Sequence, residues 1–204
     1  MTMLVTDPLM EERLKLQRRE WGADRYDEVW EGIYVISPIP NVEHQQIVAS
    51  LTAVFQETIG WPGLGDVLPG VNLTERDDDW EFDYRVPDVA IALKGGQVED
   101  RDTHWRGAVD LLVEITSPGD RTRQKIPYYS RLRVRELWIV DRSTWTLELH
   151  RWRDGELRPA GQSSLESPNV LQSEVVPLQF RVVPGAARPN VEVTHGESGR
   201  SWLV

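Results

Sequence analysis

The stretch VDLLVEITS, residues 109–117, limits the fold more than any other part of the chain. As a strand it places Leu111, Val113 and Ile115 on one face and Asp110, Leu112, Glu114 and Thr116 on the other. Both faces carry bulky apolar residues, so the segment belongs inside a sheet that is covered on both sides. The expected fold class is therefore α/β, a central mixed sheet flanked by helices.

The neighbouring segments supply those layers. Asp7-Pro8 ahead of LMEERLKLQRREWG reads as a short surface helix, with Asp7 as N-cap, Pro8 in the first turn and Gly22 just past the end. YDEVW and GIYVISP alternate around Glu31-Gly32 as a hairpin ending at Pro38. Asn41 caps a helix to about Ile59, with Val48, Leu51 and Phe55 as its inward stripe and His44 one turn earlier. Strands are expected near GDVLPGVNLTE and in RVPDVAIAL, ELWIVD and TLELHRW. Pro118-Gly119 closes the interior strand, and DRTRQKIPYYSRL reads as a helix kinked at Pro127. At 204 residues, one domain is expected: a helix at 1–22, a core at 23–184 and an extended tail at 185–204.

Composition removes several function classes. With no cysteine, the chain has no disulfide framework, thiolate zinc site or cysteine nucleophile. Mean hydropathy is −0.44 and no apolar run is long enough for a membrane span, so no membrane partner is expected. The start MTMLVTDPLMEERLK lacks a basic segment followed by an apolar one, and the expected location is cytoplasmic. A net charge of −10 argues against tight, nonspecific polyphosphate binding, but the average conceals an asymmetry. Residues 121–153 carry a local +6, including Arg121, Arg123, Arg131 and Arg133, while ERDDDWEFD at 75–83 gathers six acids. That acidic run reads as a solvated loop or as a cation-attracting rim.

Two carboxylates stand out by position. Asp88 lies between Pro87 and VAIAL at the mouth of a buried strand, and Glu114 interrupts LLV and IT. A buried carboxylate needs a cationic partner, either an arginine in a structural ion pair or a divalent ion shared by both acids. Lys125, on the following helix, can send its ammonium toward the strand ends that carry them. Two acids and a lysine suit Mg²⁺ with phosphate chemistry.

In order and spacing, RVPDVAI, LLVEITSP, DRTRQK with Tyr129, and RELWIVD resemble the PD-(D/E)XK nuclease superfamily. EGIYVISP with Glu43-His44 narrows the resemblance to its Uma-two branch, over roughly Tyr26 to Trp152. The resemblance implies a restriction-endonuclease-like core and a metal-dependent endonuclease acting on DNA. Asp88 and Glu114 would be metal ligands for Mg²⁺, with Mn²⁺ as a substitute, and Lys125 the catalytic lysine. It further assigns Glu31 to a metal or water contact and His44 to a role near the phosphate. The plain superfamily pattern puts lysine two residues after the acid, where this chain has Thr116; the branch is similar in carrying its lysine on the next helix. Arg121, Arg123, Arg131 and Arg133 would face the DNA phosphates, with a homodimer as one assembly to test. Two rivals remain: an inactive nuclease-fold protein that binds nucleic acid or a protein, and a two-carboxylate sugar hydrolase.

Overall fold

The computed structural model describes residues 2–117, 119 and 121–204, so Pro118 of the expected strand stop lies outside the described residues. The first half of the chain runs β1 (Met3–Val5), α1 (Pro8–Glu20), β2 (Glu28–Trp30), β3 (Ile33–Ile36), α2 (Val42–Phe55), β4 (Gly65–Leu68), β5 (Leu73–Thr74), β6 (Val89–Leu93), β7 (Glu99–Asp100) and β8 (Trp105–Arg106). The second half runs β9 (Leu111–Thr116), α3 (Ile126–Arg131), β10 (Glu136–Asp141), β11 (Thr146–Arg153), β12 (Glu156–Ser163), β13 (Leu171–Gln172), β14 (Leu178–Val183), β15 (Asn190–His195) and β16 (Ser201–Leu203).

Six strands form the central sheet in the order β12-β11-β10-β9-β6-β4. Only β9 and β10 run parallel, joined by the crossover through α3; the other neighbours are antiparallel. Every residue of β9 and β10 is buried, as the two-sided apolar pattern requires. On one face, Val89, Val113, Trp138 and Val140 pack against Leu51 and Phe55 of α2 and against Phe180 and Val193 of the C-terminal sheet. On the other, Ala90, Leu112, Leu137 and Ile139 meet Tyr128, Tyr129 and Leu132 in and just after α3. The architecture is the α/β one expected from the sequence, a mixed central sheet flanked by helices.

Local chemistry accounts for the element ends. Asp7 accepts a hydrogen bond from Met10 N at 2.9 Å and caps α1, which buries no residue fully. The helix stops as Gly22 enters the left-handed region at φ +61° and Ala23 N donates to the Arg18 carbonyl. Glu31 and Gly32, at φ 50° and 85°, make the two-residue turn between β2 and β3. Asn41 caps α2 by accepting from His44 N.

Three expectations change. The helix expected to reach Ile59 becomes π-helical over Gln56–Gly60, where the Thr58 hydroxyl takes the Val54 carbonyl and Trp61 N reaches back to Gln56. Pro127 does not kink a helix interior: a 3₁₀ turn, Thr122–Lys125, precedes it, and the proline falls in the first turn of α3, where its missing N–H costs nothing. The expected tail is instead β15 and β16 of a four-stranded sheet, β13-β14-β15-β16, which buries Val191 and Val193. Among the described residues no helix is long and apolar enough to cross a membrane.

Candidate active site

Strand register brings the two acids together. Val89 pairs with Val113 across the antiparallel β6–β9 ladder, so the next step places Asp88 opposite Glu114 on the same face. Asp88 Oδ2 accepts from Ile115 N at 2.7 Å and stands 3.2 Å from His44 Nε2. Its other oxygen, Oδ1, makes no hydrogen bond among the described residues.

The turn into α3 aims the lysine. Lys125 and Tyr129, one helical turn apart, both face β9. Lys125 Nζ lies 3.1 and 3.3 Å from the two Glu114 oxygens, and Tyr129 Oη donates to Glu114 Oε1 at 2.5 Å. A third carboxylate joins them, Glu28 of β2, with Oε1 at 2.8 Å from the same ammonium. Glu28 is fixed by Val86 N at 2.9 Å and by the indole of Trp30 at 2.6 Å.

Glu31 is not part of this cluster. Its place in the hairpin turn leaves its side chain 73% exposed, and its ion pair is with Arg131 at 3.6 Å. Glu28, two positions from Trp30 on the same strand face, is the acid of this hairpin that meets Lys125; the alternation of YDEVW carried that signal. His44 is at the cluster, buried on the stripe of α2. With Nε2 directed at Asp88 and Nδ1 enclosed without a partner among the described residues, its contact with the site runs through Asp88.

The cluster carries surplus negative charge. Burial, with Asp88 and Glu28 nearby, pushes the Glu114 carboxyl up to about 8 against the pull of Lys125 and Tyr129. Burial pulls Lys125 down, but Glu114 and Glu28 outweigh it and leave the ammonium above the ordinary lysine value. Tyr129 is raised by burial and by the same carboxylates. Both acid and base are shifted toward holding protons, as expected where two buried carboxylates share one ammonium with a third carboxylate nearby.

A pH dependence follows. Glu114 titrates near 4.5 when unperturbed and near 8 in the fold, so in between the folded state keeps a proton that the unfolded chain has released. Stability without divalent ions should fall as pH rises through that window and level off above it. In Glu114→Gln this part of the slope should vanish. Thermal melts of both proteins across the window check this, and parallel curves would contradict it.

A cleft of about 270 Å³ opens over the cluster, bounded by Glu28, His44, Asp88, Glu114, Arg121 and Arg142. Arg142 is a buried clamp: Nε donates to the Thr116 carbonyl at 3.0 Å, and its other nitrogens reach Ser117 Oγ at 2.7 Å and Glu43 at 2.6 Å. It thereby ties the end of β9 to the first turn of α2, which carries His44. Arg121 lies at the cleft wall, within reach of Gln124 at 3.3 Å.

The remaining arginines do not form a free basic face. Arg123 is held by Asp141 and Glu148, Arg131 by Glu31, Glu75 and Asp83, Arg135 by Asp110, and Arg151 by Glu136 and Glu174. Arg133 sits past the end of α3 at φ 58°, away from the cleft. The acidic run is likewise engaged, through Arg76–Asp79, Arg101–Asp77 and Arg19–Glu81. Trp105 is buried, and Trp80 stacks on His104 at 4.6 Å.

The donor set fits a hard divalent cation. Among the described residues no three His, Asp or Glu side chains converge as a closed metal cage. Two facing carboxylates, one with an uncommitted oxygen, at the edge of an open cleft are what Mg²⁺ uses with waters as its other ligands.

Known proteins resemble the chain at two levels. A family model named Uma2, described as "Putative restriction endonuclease", matches residues 10–185. The fold matches the crystal structure of a protein from Anabaena variabilis titled a "putative nuclease belonging to DUF820", with TM-score 0.55 and 16% identity over 79% of this chain and 82% of the other. No curated protein sequence matches.

Proposed function

Because the chain belongs to the Uma2 family of restriction-endonuclease-like proteins, we propose that it is a metal-dependent endonuclease that hydrolyses phosphodiester bonds of DNA. The observation that carries this reading is that Glu28 and Glu114 meet Lys125 while Asp88 stands opposite Glu114 on the neighbouring strand, all lining one cleft. Asp88 and Glu114 would hold Mg²⁺, or Mn²⁺ in its place. When bound, such an ion activates water for attack and polarises a phosphoryl oxygen.

The chain's own groups do the rest. Arg121 at the cleft wall binds a nonbridging oxygen of the scissile phosphate, and Lys125 offers fixed positive charge where charge develops in the transition state. Glu28 keeps that lysine protonated and in place. Tyr129 orients Glu114, and the backbone of Ile115 with His44 orients Asp88. A sugar hydrolase would leave Lys125 and Arg121 without a role.

One observation favours the inactive reading: Lys125 already spans Glu28 and Glu114, as a purely structural ion pair would. Nicking of supercoiled plasmid in Mg²⁺ and in Mn²⁺, with Asp88→Ala as the blank, separates the two. The wild type should nick and the blank should not. Millimolar Mn²⁺ should also raise the melting temperature of the wild type and leave Asp88→Asn unmoved. If wild type matches the blank on duplex DNA, single strands and RNA, the nuclease reading fails; if its melting is unchanged by Mn²⁺, the metal assignment fails.

A further inference from the structure

A second and larger hollow, about 470 Å³, adjoins the cleft, and Asp88 and His44 line both. Its walls are the outer side of α2, the Pro69-Gly70 turn after β4, and Tyr26. We infer that this groove is a subsite for one unpaired nucleobase next to the scissile phosphate. The inference rests on the nuclease reading and adds what that reading lacks, namely where the base goes and that it must leave a duplex to get there.

Continuity is the first argument. A phosphate held over Asp88 has its own nucleoside one bond away, and the groove opens from that residue. Its volume lies within the roughly 300–1,000 Å³ of small-molecule sites. A base paired within a duplex is held in the stack and cannot enter a side pocket, whereas a base that is single-stranded or extruded can.

The lining has the matching chemistry. Val48, Ala49, Ala53 and Pro69 give an apolar floor, and Tyr26 gives a half-buried ring on which a base can stack. Tyr26 Oη and Gln45 Nε2, 3.4 Å apart, are hydrogen-bonding groups able to meet a base edge. Exposed Arg25 lies with its guanidinium 5.6 Å from the Tyr26 ring and has no ion pair among the described residues, which suits it to the next phosphate. Ala49 and Ala53, exposed and one helical turn apart, keep the groove open.

The test uses binding without cleavage. In EDTA, fluorescence anisotropy compares a single-stranded DNA decamer with the same sugar-phosphate chain made entirely abasic. Wild type should bind the intact decamer about tenfold more tightly or better, the scale of base stacking on aromatic side chains. Ala53→Trp, which fills the groove from an exposed helix position, should lose the discrimination while holding the abasic chain as before, and Tyr26→Leu should lose most of it. Wild type that binds both chains equally, or that binds neither, overturns the subsite, as does an Ala53→Trp variant that still discriminates. Plasmid nicking judges the nuclease reading separately: nicking without base discrimination removes the subsite alone, and discrimination without nicking leaves a base-binding site on an inactive fold.

Discussion

Lys125→Ala is expected to slow plasmid nicking by about a hundredfold or more, the scale of losing one preorganised charge in a transition state. Lys125 is also the ammonium shared by Glu28 and Glu114, with its side chain 12% exposed and theirs 3%. Removing it leaves those carboxylates buried without their cation, which costs about 3–5 kcal/mol in comparable sites. The variant should therefore be both slower and less stable. Urea unfolding gives the folded fraction, and the nicking rate per folded molecule isolates the catalytic part. Metal affinity should be nearly intact, because the expected ligands are carboxylates. Thr116 shares the strand face of Glu114, so Thr116→Lys in the Lys125→Ala background should recover part of the rate. Lys125→Ala that nicks at the wild-type rate would remove the lysine from the chemistry and leave it an ion-pair partner.

Deleting residues 186–204 should abolish cooperative folding. The deletion removes β15 and β16, and with them Val191, Val193 and Val204, all nearly inaccessible. Each such valine contributes about 1.5–3 kcal/mol by burial, and together they rival the roughly 5–15 kcal/mol that separates folded from unfolded domains. The damage also spreads inward. β14 would lose its six-residue ladder with β15 and keep only the two-residue pairing with β13, which loosens the cover on Phe180, whose ring lies 4.3 Å from that of Trp138 in the central sheet. Far-ultraviolet circular dichroism through a urea series checks this, and a truncated chain with a sharp transition near that of the full chain would contradict it.

Features written by short-range chemistry were legible. The caps at Asp7 and Asn41, the Glu31-Gly32 turn and the doubly buried strand depend on a few adjacent residues, and each appears in the structure. Asp88, Glu114 and Lys125 also meet, because a carboxylate inside an apolar strand must find a cation and the next helix supplies one. Glu28 was obscured by its neighbours Asp27 and Glu31. Of these three, Asp27 turns inward to Arg18 and Tyr34, Glu28 meets Lys125 and Glu31 faces solvent, and only the strand phase tells them apart. The C-terminal strands were obscured in another way. Pro184, Gly185 and Pro189 signal irregular chain, while the alternation of NVEVTH just beyond them is a strand pattern too short to stand alone until β14 pairs with it.

The arginines of 121–153 teach a different point, since charge counted along a chain takes no account of acids that arrive from elsewhere. Glu43, Glu75, Asp110 and Glu174 come from outside that stretch and engage Arg142, Arg131, Arg135 and Arg151. The consequence concerns the thermodynamics of docking. A cation that already faces a carboxylate displaces few condensed counterions when a phosphate chain approaches, so it adds little to the entropy that drives polyelectrolyte association. With Arg121 at the cleft wall and Arg25 at the groove free of such partners among the described residues, the affinity of this protein for a nucleic acid would depend on a short footprint and vary only gently with ionic strength. Selection of a substrate would then come from what the cleft and groove enclose, and not from long-range attraction to the backbone.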